Sequence, residues 1–379
     1  MELIFFLSAA GVVYVYAGYP LLALLLGLML DKRVRREAME PDVTVLIAAY
    51  NEQDVISDTI RNKLDQDYPP ERLDILVVSD DSTDGTDEVV RSFNNPRVKL
   101  HRQSPRAGKT RALNLGVKKA RGEIIVFSDA NSIYAKDAIR RLVSNFADPG
   151  VGYVTGKMIY VSPDGSLIGD GCSSYMQYEN LLRSLENRLG SVVGVDGGID
   201  AVHKSLYRPM RDEQLPDFVL PLSLVEQGYR VVYEPEAMLR EPALKEAGDE
   251  YRMRVRVALR ALWAMWDMRR LLGVSVNPLF AWQLWSHKVL RYFSFVFLAI
   301  IWLSNLLLWE KGPGYQFFFI FQNSAYLAAL LHPILKKKNM SCRLFSLARY
   351  FALLNLASAH AFGKFLLGKK QTLWTPRKG

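Results

Sequence analysis

Hydrophobic positions are spread unevenly along this chain, and their period changes from one region to the next. Residues 3–30 carry no charged side chain, a run longer than the roughly 20 apolar residues a helix needs to cross a bilayer. It predicts one spanning helix. A cleaved signal peptide is the alternative, but the start carries Glu2 in place of a basic region, no small-residue cleavage pattern follows, and the apolar run is too long. After Pro41, short β-branched runs at 43–49, 73–79, 98–101 and 124–128 alternate with helical spacing at 54–66, 108–120 and 135–146. Near-continuous apolarity in the first, second and fourth runs predicts strands buried on both faces, hence a βαβ series and a mostly parallel sheet of Rossmann-like α/β class.

Towards the C-terminus the apolar runs lengthen again. Residues 293–309 and 315–335 are apolar enough to span, joined by a turn at 310–314. Residues 277–293 mix Phe280, Trp282, Trp285 and Tyr292 with His287, Lys288 and Arg291, the profile of a helix lying in a membrane interface, with a core helix as the alternative. Residues 344–367 form a weaker span, interrupted by Arg349, His360 and Lys364. The predicted organisation is a transmembrane helix at 1–30, an α/β domain at 41–270, interfacial and transmembrane helices at 277–367, and a basic tail at 368–379.

Composition fits such a division. A hydrophobic share of 50% over 379 residues averages two unlike parts. The net charge of +9 excludes little by itself, but Lys32, Arg33, Arg35, Arg36 and Lys336, Lys337, Lys338 lie beside apolar segments, so the expected partners are anionic membrane lipids and no nucleic acid. The positive-inside rule places the α/β domain in the cytoplasm, in a multi-pass protein of the inner (plasma) membrane. Lys336–338 and the tail with Lys369, Lys370, Arg377 and Lys378 should then both be cytoplasmic, which a full span between them contradicts. Either 344–367 is re-entrant or interfacial, or the tail breaks the rule. Two cysteines, Cys172 and Cys342, cannot build a disulfide framework and fit a reducing compartment.

Ligands of open α/β sheets sit beyond the carboxyl ends of the strands. The first strand runs into Ala48-Ala49-Tyr50-Asn51-Glu52, the second into Asp80-Asp81-Ser82-Thr83-Asp84, the fourth into Asp129-Ala130-Asn131. Asn51, Asp84 or Asp87 alone reads as a helix cap; three acidic or amide clusters at one sheet edge do not. One carboxylate can accept from a base edge and ribose, and another can hold a hard divalent cation at a diphosphate, whose departing charge the cation neutralises. Asp81 suits the first role and Asp129 the second.

The runs Val45-Leu-Ile-Ala-Ala-Tyr-Asn-Glu, Asp80-Asp81-Ser-Thr-Asp-Gly-Thr, Arg106-Ala-Gly-Lys-Thr-Arg-Ala-Leu-Asn and Asp129-Ala-Asn, in that order, resemble the family 2 inverting glycosyltransferases of GT-A fold. The resemblance covers about residues 41–260. It implies nucleotide-sugar contacts from Ala48, Glu52, Asp80, Asp81, Lys109, Asp129 and Ala130, and Mg2+ or Mn2+ on Asp129 and Asn131. The family motif is commonly Asp-x-Asp, and here Asn131 supplies a carbonyl without charge. Lys109 either faces solvent or, following Gly108 at a helix start, meets an anion.

Gly194-Val-Asp-Gly-Gly-Ile-Asp-Ala is glycine-rich within a folded domain, which marks a tight turn or close approach to a ligand. Its resemblance to the family's Gly-x-Asp-Gly stretch implies acceptor binding at Asp196 and Gly197. Asp217 matches the family's general base, Pro216 replacing the usual preceding acid; an N-cap is its alternative. His203 reads as structural before catalytic. Arg252, Arg256 and Arg260 recur at steps of four, a repulsive stripe on a helix unless an anion, diphosphate or lipid head group, answers it. Processive synthases of the family carry Gln-x-x-Arg-Trp there, whereas Met253 and Val257 replace the Gln and Trp beside Arg256. The expectation is inverting transfer from a nucleotide sugar, UDP-linked, to a lipid-linked or growing glycan acceptor; a processive synthase with secretion, or a membrane protein that binds nucleotide sugar without turnover, are the alternatives.

Overall fold

The computed structural model describes residues 1–161, 171–242, 247–337 and 343–371; Lys338, Cys342, Arg377 and Lys378 lie outside them. Eight strands, β1 (Val43–Ala49), β2 (Leu73–Asp80), β3 (Val98–Gln103), β4 (Ile124–Asp129), β5 (Ile133–Tyr134), β6 (Val151–Val161), β7 (Ile199–His203) and β8 (Arg230–Pro242), form one sheet in the order β3-β2-β1-β4-β7-β6-β8-β5. The strip β3-β2-β1-β4 is parallel, as its two-sided apolarity predicts, and β6 and β8 also pair in parallel. β7 runs antiparallel to both its neighbours and β5 antiparallel to β8, so the sheet is mixed and the parallel reading holds for one half.

The helices are α1 (Glu2–Val13), α2 (Tyr19–Leu30), α3 (Ile56–Leu64), α4 (Thr86–Ser92), α5 (Lys109–Lys119), α6 (Ala138–Ser144), α7 (Gly171–Leu189), α8 (Pro216–Glu226), α9 (Ala247–Asp267), α10 (Pro278–Leu284), α11 (Leu290–Tyr292), α12 (Ser294–Leu307), α13 (Pro313–Lys337) and α14 (Arg343–Leu366). Successive strand residues point to opposite faces. Val45, Ile47 and Ala49 therefore join a core with α3, α4 and α6 through Ile60, Val90 and Leu142. Leu46 and Ala48 join the other, with Leu113 of α5, Phe218 of α8, Leu259 of α9, Leu284 of α10 and Ala361 of α14. The second face of the sheet is thus where the C-terminal helices attach.

A π-helical turn at Tyr14–Gly18 joins α1 to α2, and Glu2–Leu30 forms a helix of 29 residues, long and apolar enough to cross a membrane. Pro313–Leu335 meets the same test. The expected span at 293–309 is shorter: α12 has 14 residues, roughly 21 Å at ~1.5 Å per residue against a hydrocarbon core of roughly 30 Å. It reaches spanning length only with the segment Pro278–Tyr292, from which it is bent by 56°. The N-terminal helix is docked on the α/β domain: Tyr19 and Ala23 pack on Leu182, Leu185 and Leu189 of α7, and the Tyr19 hydroxyl donates to Glu186 Oε1 at 2.5 Å. The chain beyond it is strapped down, with Lys32 N–H on the Arg188 carbonyl at 2.9 Å. The Arg230 guanidinium donates to the carbonyls of Lys32 at 2.8 Å and Gly190 at 2.9 Å.

Gly122 lets the turn before β4 lie against β1: a Cβ there would stand 2.4 Å from Thr44 N and 2.7 Å from Val43 C, both backbone atoms. Gly122→Ala is expected to lower stability by about 1–3 kcal/mol, the range for forcing an extra methyl into a packed core. A thermal unfolding midpoint equal to that of the wild type would contradict this close approach.

Candidate active site

The parallel strands β2, β1 and β4 end side by side, with Ala48 level with Val78 and with Asp129. Antiparallel β7 begins where they end, Ile199 pairing with Ser128, so Asp196 and Gly197 arrive at the same edge as Asp129. The turns after β1 and β2 are knitted together. Asn51 N–H donates to Ser82 Oγ at 3.1 Å, Glu52 N–H to Thr86 Oγ1 at 2.9 Å, and Gly85 N–H to Gln53 Oε1 at 2.8 Å. Asn51 (φ 54) and Asp81 (φ 60) both take the left-handed conformation that Asn and Asp tolerate best among residues with a Cβ.

Asp80 and Asp81 separate sharply. Asp80 is fully buried and accepts from Ala107 N–H at 2.8 Å, Gly108 N–H at 2.9 Å and the Gln103 amide at 2.5 Å. Its carboxylate is committed to shaping the turn before α5, a correction to the expectation that it meets the nucleotide. Asp81 sits at the edge, held by Arg102 at 2.7 Å, and the same guanidinium binds buried Asp87 at 2.7 Å. Arg106 lies over the Tyr50 ring at 3.5 Å, linking the β1 turn to that before α5.

Gly108 (φ 100) starts α5 and places Lys109 over the end of β4. The Lys109 ammonium stands 2.7 Å from Asp129 Oδ1 and 3.8 Å from Asp217 Oδ1. One cation thereby joins the expected metal ligand and the expected base, and the reading of Lys109 as a solvated surface residue does not hold. Asp217 lies in the first turn of α8, but the cap position belongs to Leu215, so capping is not its role. The Asp217 carboxyl packs on Gly197 (φ 78), where a Cβ would come within 2.5 Å of Asp217 Cγ. Gly197 N–H donates to Asp200 at 2.9 Å, as does the Tyr153 hydroxyl at 2.9 Å. Burial pushes the Asp200 carboxyl up to about 7, with Asp217 adding to the effect.

Asp196 directs its carboxylate inward, to Arg183 at 2.8 Å and Met158 N–H at 3.0 Å, leaving Gly197 backbone as the nearer surface to Asp217. The arginine stripe is divided. Arg252 is exposed and pairs with Asp249, and Arg256 lies half-buried one turn before Arg260. Arg260 is buried, donating to Gln214 O at 2.5 Å and Thr110 Oγ1 at 3.3 Å, with its guanidinium pushed down to about 10 by burial. It pins the loop that leads into Asp217. His203 pairs with Ile124 at the opposite end of β4, away from the site.

Glu52 is pushed up to about 7, by burial and then by Asp129 and Asp84, so these carboxylates of the edge act on one another. Among the described residues no three His, Cys, Asp or Glu side chains group as a metal cage. Asp129, with Asn131 donating to Glu241 Oε1 at 3.3 Å, fits a hard cation held by one or two protein oxygens and otherwise by phosphate. Two residues escaped the sequence reading. Arg102 lies just past the strand expected at 98–101. Lys63, fully buried in a helix of ordinary polar pattern, donates to Ser132 O at 2.6 Å, lies 3.5 Å over the Tyr134 ring and so holds the loop that carries Asn131.

Residues 44–199 match the family model "Glycosyl transferase family 2". A poly-beta-1,6-N-acetyl-D-glucosamine synthase of Staphylococcus aureus (strain MSSA476) is 31% identical over 224 residues, 57% of this chain and 53% of that protein. One of Staphylococcus epidermidis is 26% identical over 269 residues, 67% of this chain and 65% of that protein. The chain thus spans about half the length of the Staphylococcus aureus relatives it matches. A mannosyltransferase from Pyrobaculum calidifontis, solved with GDP-Man and Mn2+, has the same fold, with a TM-score of 0.73 at 23% identity over 97% of this chain and 99% of that one.

Glu52 gives the edge a pH signature. With its carboxyl raised from 4.5 to about 7 in the folded protein, it holds its proton more tightly folded than unfolded. It therefore costs stability progressively as pH rises from about 4.5 to about 7. Glu52→Gln is expected to gain in thermal midpoint relative to the wild type across that window and to level off above it. A difference independent of pH would refute the assignment.

Proposed function

We propose that this chain, whose residues 44–199 match the glycosyl transferase family 2 model, transfers a sugar, with inversion, from a nucleotide sugar to a lipid-linked or growing glycan acceptor at a membrane. The observation that carries the reading is the approach of Asp129, at the end of β4, and Asp217, in the first turn of α8, to one lysine at 2.7 and 3.8 Å. The proposed catalytic domain is 41–270, cytoplasmic, between the N-terminal helix and the helices of 277–367 in the inner membrane. Two helices of spanning length support that placement. We take the donor as UDP-linked; the relatives named as poly-beta-1,6-N-acetyl-D-glucosamine synthases support an N-acetylhexosamine as its sugar.

In this reading Ala48, Glu52 and Asp81 take the nucleoside, with Arg102 fixing the Asp81 carboxylate at 2.7 Å. Lys109 and the amino end of α5 face the diphosphate, where helix N–H groups and dipole favour an anion. Asp129 and Asn131, beside Ala130, would hold Mg2+ or Mn2+, which would supply positive charge at the leaving diphosphate. Asp217 takes the proton of the acceptor hydroxyl, whose oxygen attacks the anomeric carbon opposite the leaving group. The first turn of α8 stabilises negative charge on Asp217, and the bare Gly197 backbone lets the carboxyl lie where any side chain at 197 would displace it. Arg260 and Asp200 act as positioning residues for the 214–217 and 196–197 segments. Arg256 remains the proposed diphosphate contact from α9.

Single additions are favoured over processive synthesis, since Met253 and Val257 stand where processive members carry Gln and Trp. Purified full-length protein, given a panel of UDP- and GDP-sugars, Mg2+ or Mn2+ and membrane lipid extract, should release nucleoside diphosphate. Asp217→Asn should slow that release by about 10²–10⁴-fold, the usual contribution of a general base, while still binding nucleotide. Undiminished release in the variant would sink the base assignment, no binding of any nucleotide sugar would sink the whole reading, and product length reports on processivity.

A further inference from the structure

Beyond Asp217 the cleft continues away from the nucleotide edge. A cavity of about 180 Å³ runs from Asp217 and Asp196, past Arg183 and Arg254, to Lys288 and Tyr292. A second, of about 60 Å³, is lined by Tyr16 of the N-terminal helix and by Leu354, Asn355 and Ser358 of α14. The two share Tyr175, Lys288 and Tyr292. They lie side by side across these three side chains, one against the proposed base and the other against the N-terminal helix and α14.

The charges along these cavities are unevenly matched. Arg183 has Asp196 at 2.8 Å, Arg254 has Glu250 at 2.8 Å, and Arg291 is bound to Glu179. Among the described acids Lys288 forms an ion pair only with that same Glu179, at 3.7 Å, with Glu186 acting on it from farther off, and Glu179 also receives His287 Nε2 at 3.3 Å. The Lys288 ammonium lies against the Gly194 backbone, where a Cβ would approach it to 3.0 Å. It therefore stands at the junction of the two cavities with its charge the least answered of the four. A cation removed from water in this way is stabilised by an anion with several oxygens.

We propose that Lys288 is a phosphate-binding subsite for an acceptor in which a phosphate or diphosphate links the reacting sugar or hydroxyl to a hydrocarbon chain. The reacting end lies toward Asp217, the phosphate sits on Lys288 with Arg254 nearby, and the chain leaves between Tyr16 and α14. The apolar helices around the second cavity select a lipid-borne phosphate over a free one. This rests on the reading of Asp217 as the base on the acceptor side.

The test is equilibrium binding of a polyprenyl phosphate, the matching polyprenol and inorganic phosphate to the full chain in uncharged detergent micelles, with nucleoside diphosphate binding measured separately on each preparation. The polyprenyl phosphate should bind at least about tenfold more tightly than the polyprenol, the effect of one charge-assisted contact. Lys288→Met should abolish that advantage, Lys288→Arg should keep most of it, and both should bind nucleoside diphosphate as the wild type does. Should Lys288→Met lose nucleoside diphosphate binding and so prove misfolded, Gly194→Ala, which crowds the ammonium without removing it, should weaken polyprenyl phosphate by a similar factor. Equal binding of polyprenol and polyprenyl phosphate, or an undiminished advantage in a folded Lys288→Met, overturns the subsite. Inorganic phosphate binding as tightly as polyprenyl phosphate overturns the lipid chain's part. Loss of nucleotide-sugar turnover across all preparations, with the lipid-phosphate preference intact, would instead count against the transferase reading alone.

Discussion

Pairing of β7 against β4 in the antiparallel sense, with Ile199 opposite Ser128, is the constraint on which the rest of the site depends. Parallel strands deliver only their carboxyl ends to a ligand edge, so β1, β2 and β4 can furnish a nucleotide side and nothing opposite it. Reversing one strand brings an amino end to that edge. Gly197 then meets Asp217 so closely that no side chain fits between them, and the side proposed for the acceptor is built against the nucleotide edge. Lys109 closes the gap electrostatically, since two carboxylates facing each other across a cleft repel unless a cation stands between them.

Much of this was legible in the chain. Strands buried on both faces write themselves as apolar runs, and β1, β2 and β4 were read nearly to the residue for that reason. The clusters at their ends were legible because a polar group at the end of such a run has only the ligand edge to face. What failed to show was anything decided by orientation within a short span. Asp80 and Asp81 are neighbours of one type, yet one turns under the sheet and the other outward, and only the pleat and the left-handed turn at Asp81 distinguish them.

The same limit governs the arginines of α9. Steps of four put Arg252, Arg256 and Arg260 on one stripe, but the Arg252 side chain faces solvent beside Asp249 while Arg260 is driven beneath the Asp217 loop. β6 interrupts its apolar residues with Gly152, Gly156 and Lys157, and β8 offers only a short strand signal at 230–233 before Glu234-Pro235-Glu236, so neither carries the long run that betrays a central strand. The shortness of α12 was hidden for a related reason: apolar composition continues through Phe293, where the helix axis bends, so hydropathy records one segment and the backbone makes two.

The Arg230 guanidinium, gripping the carbonyls of Lys32 and Gly190, sets a mechanical property of the molecule. An unstrapped chain between residue 30 and the start of β1 would act as a tether, each extended residue adding up to ~3.3–3.6 Å of reach. With its first residues bound to α7 and β8, that tether has almost no slack. The cleft is thereby mounted on the N-terminal helix, like a tool on a post. For the membrane-borne acceptor proposed above, such a mounting favours a reactive group presented at one level over a group on a longer or shorter spacer.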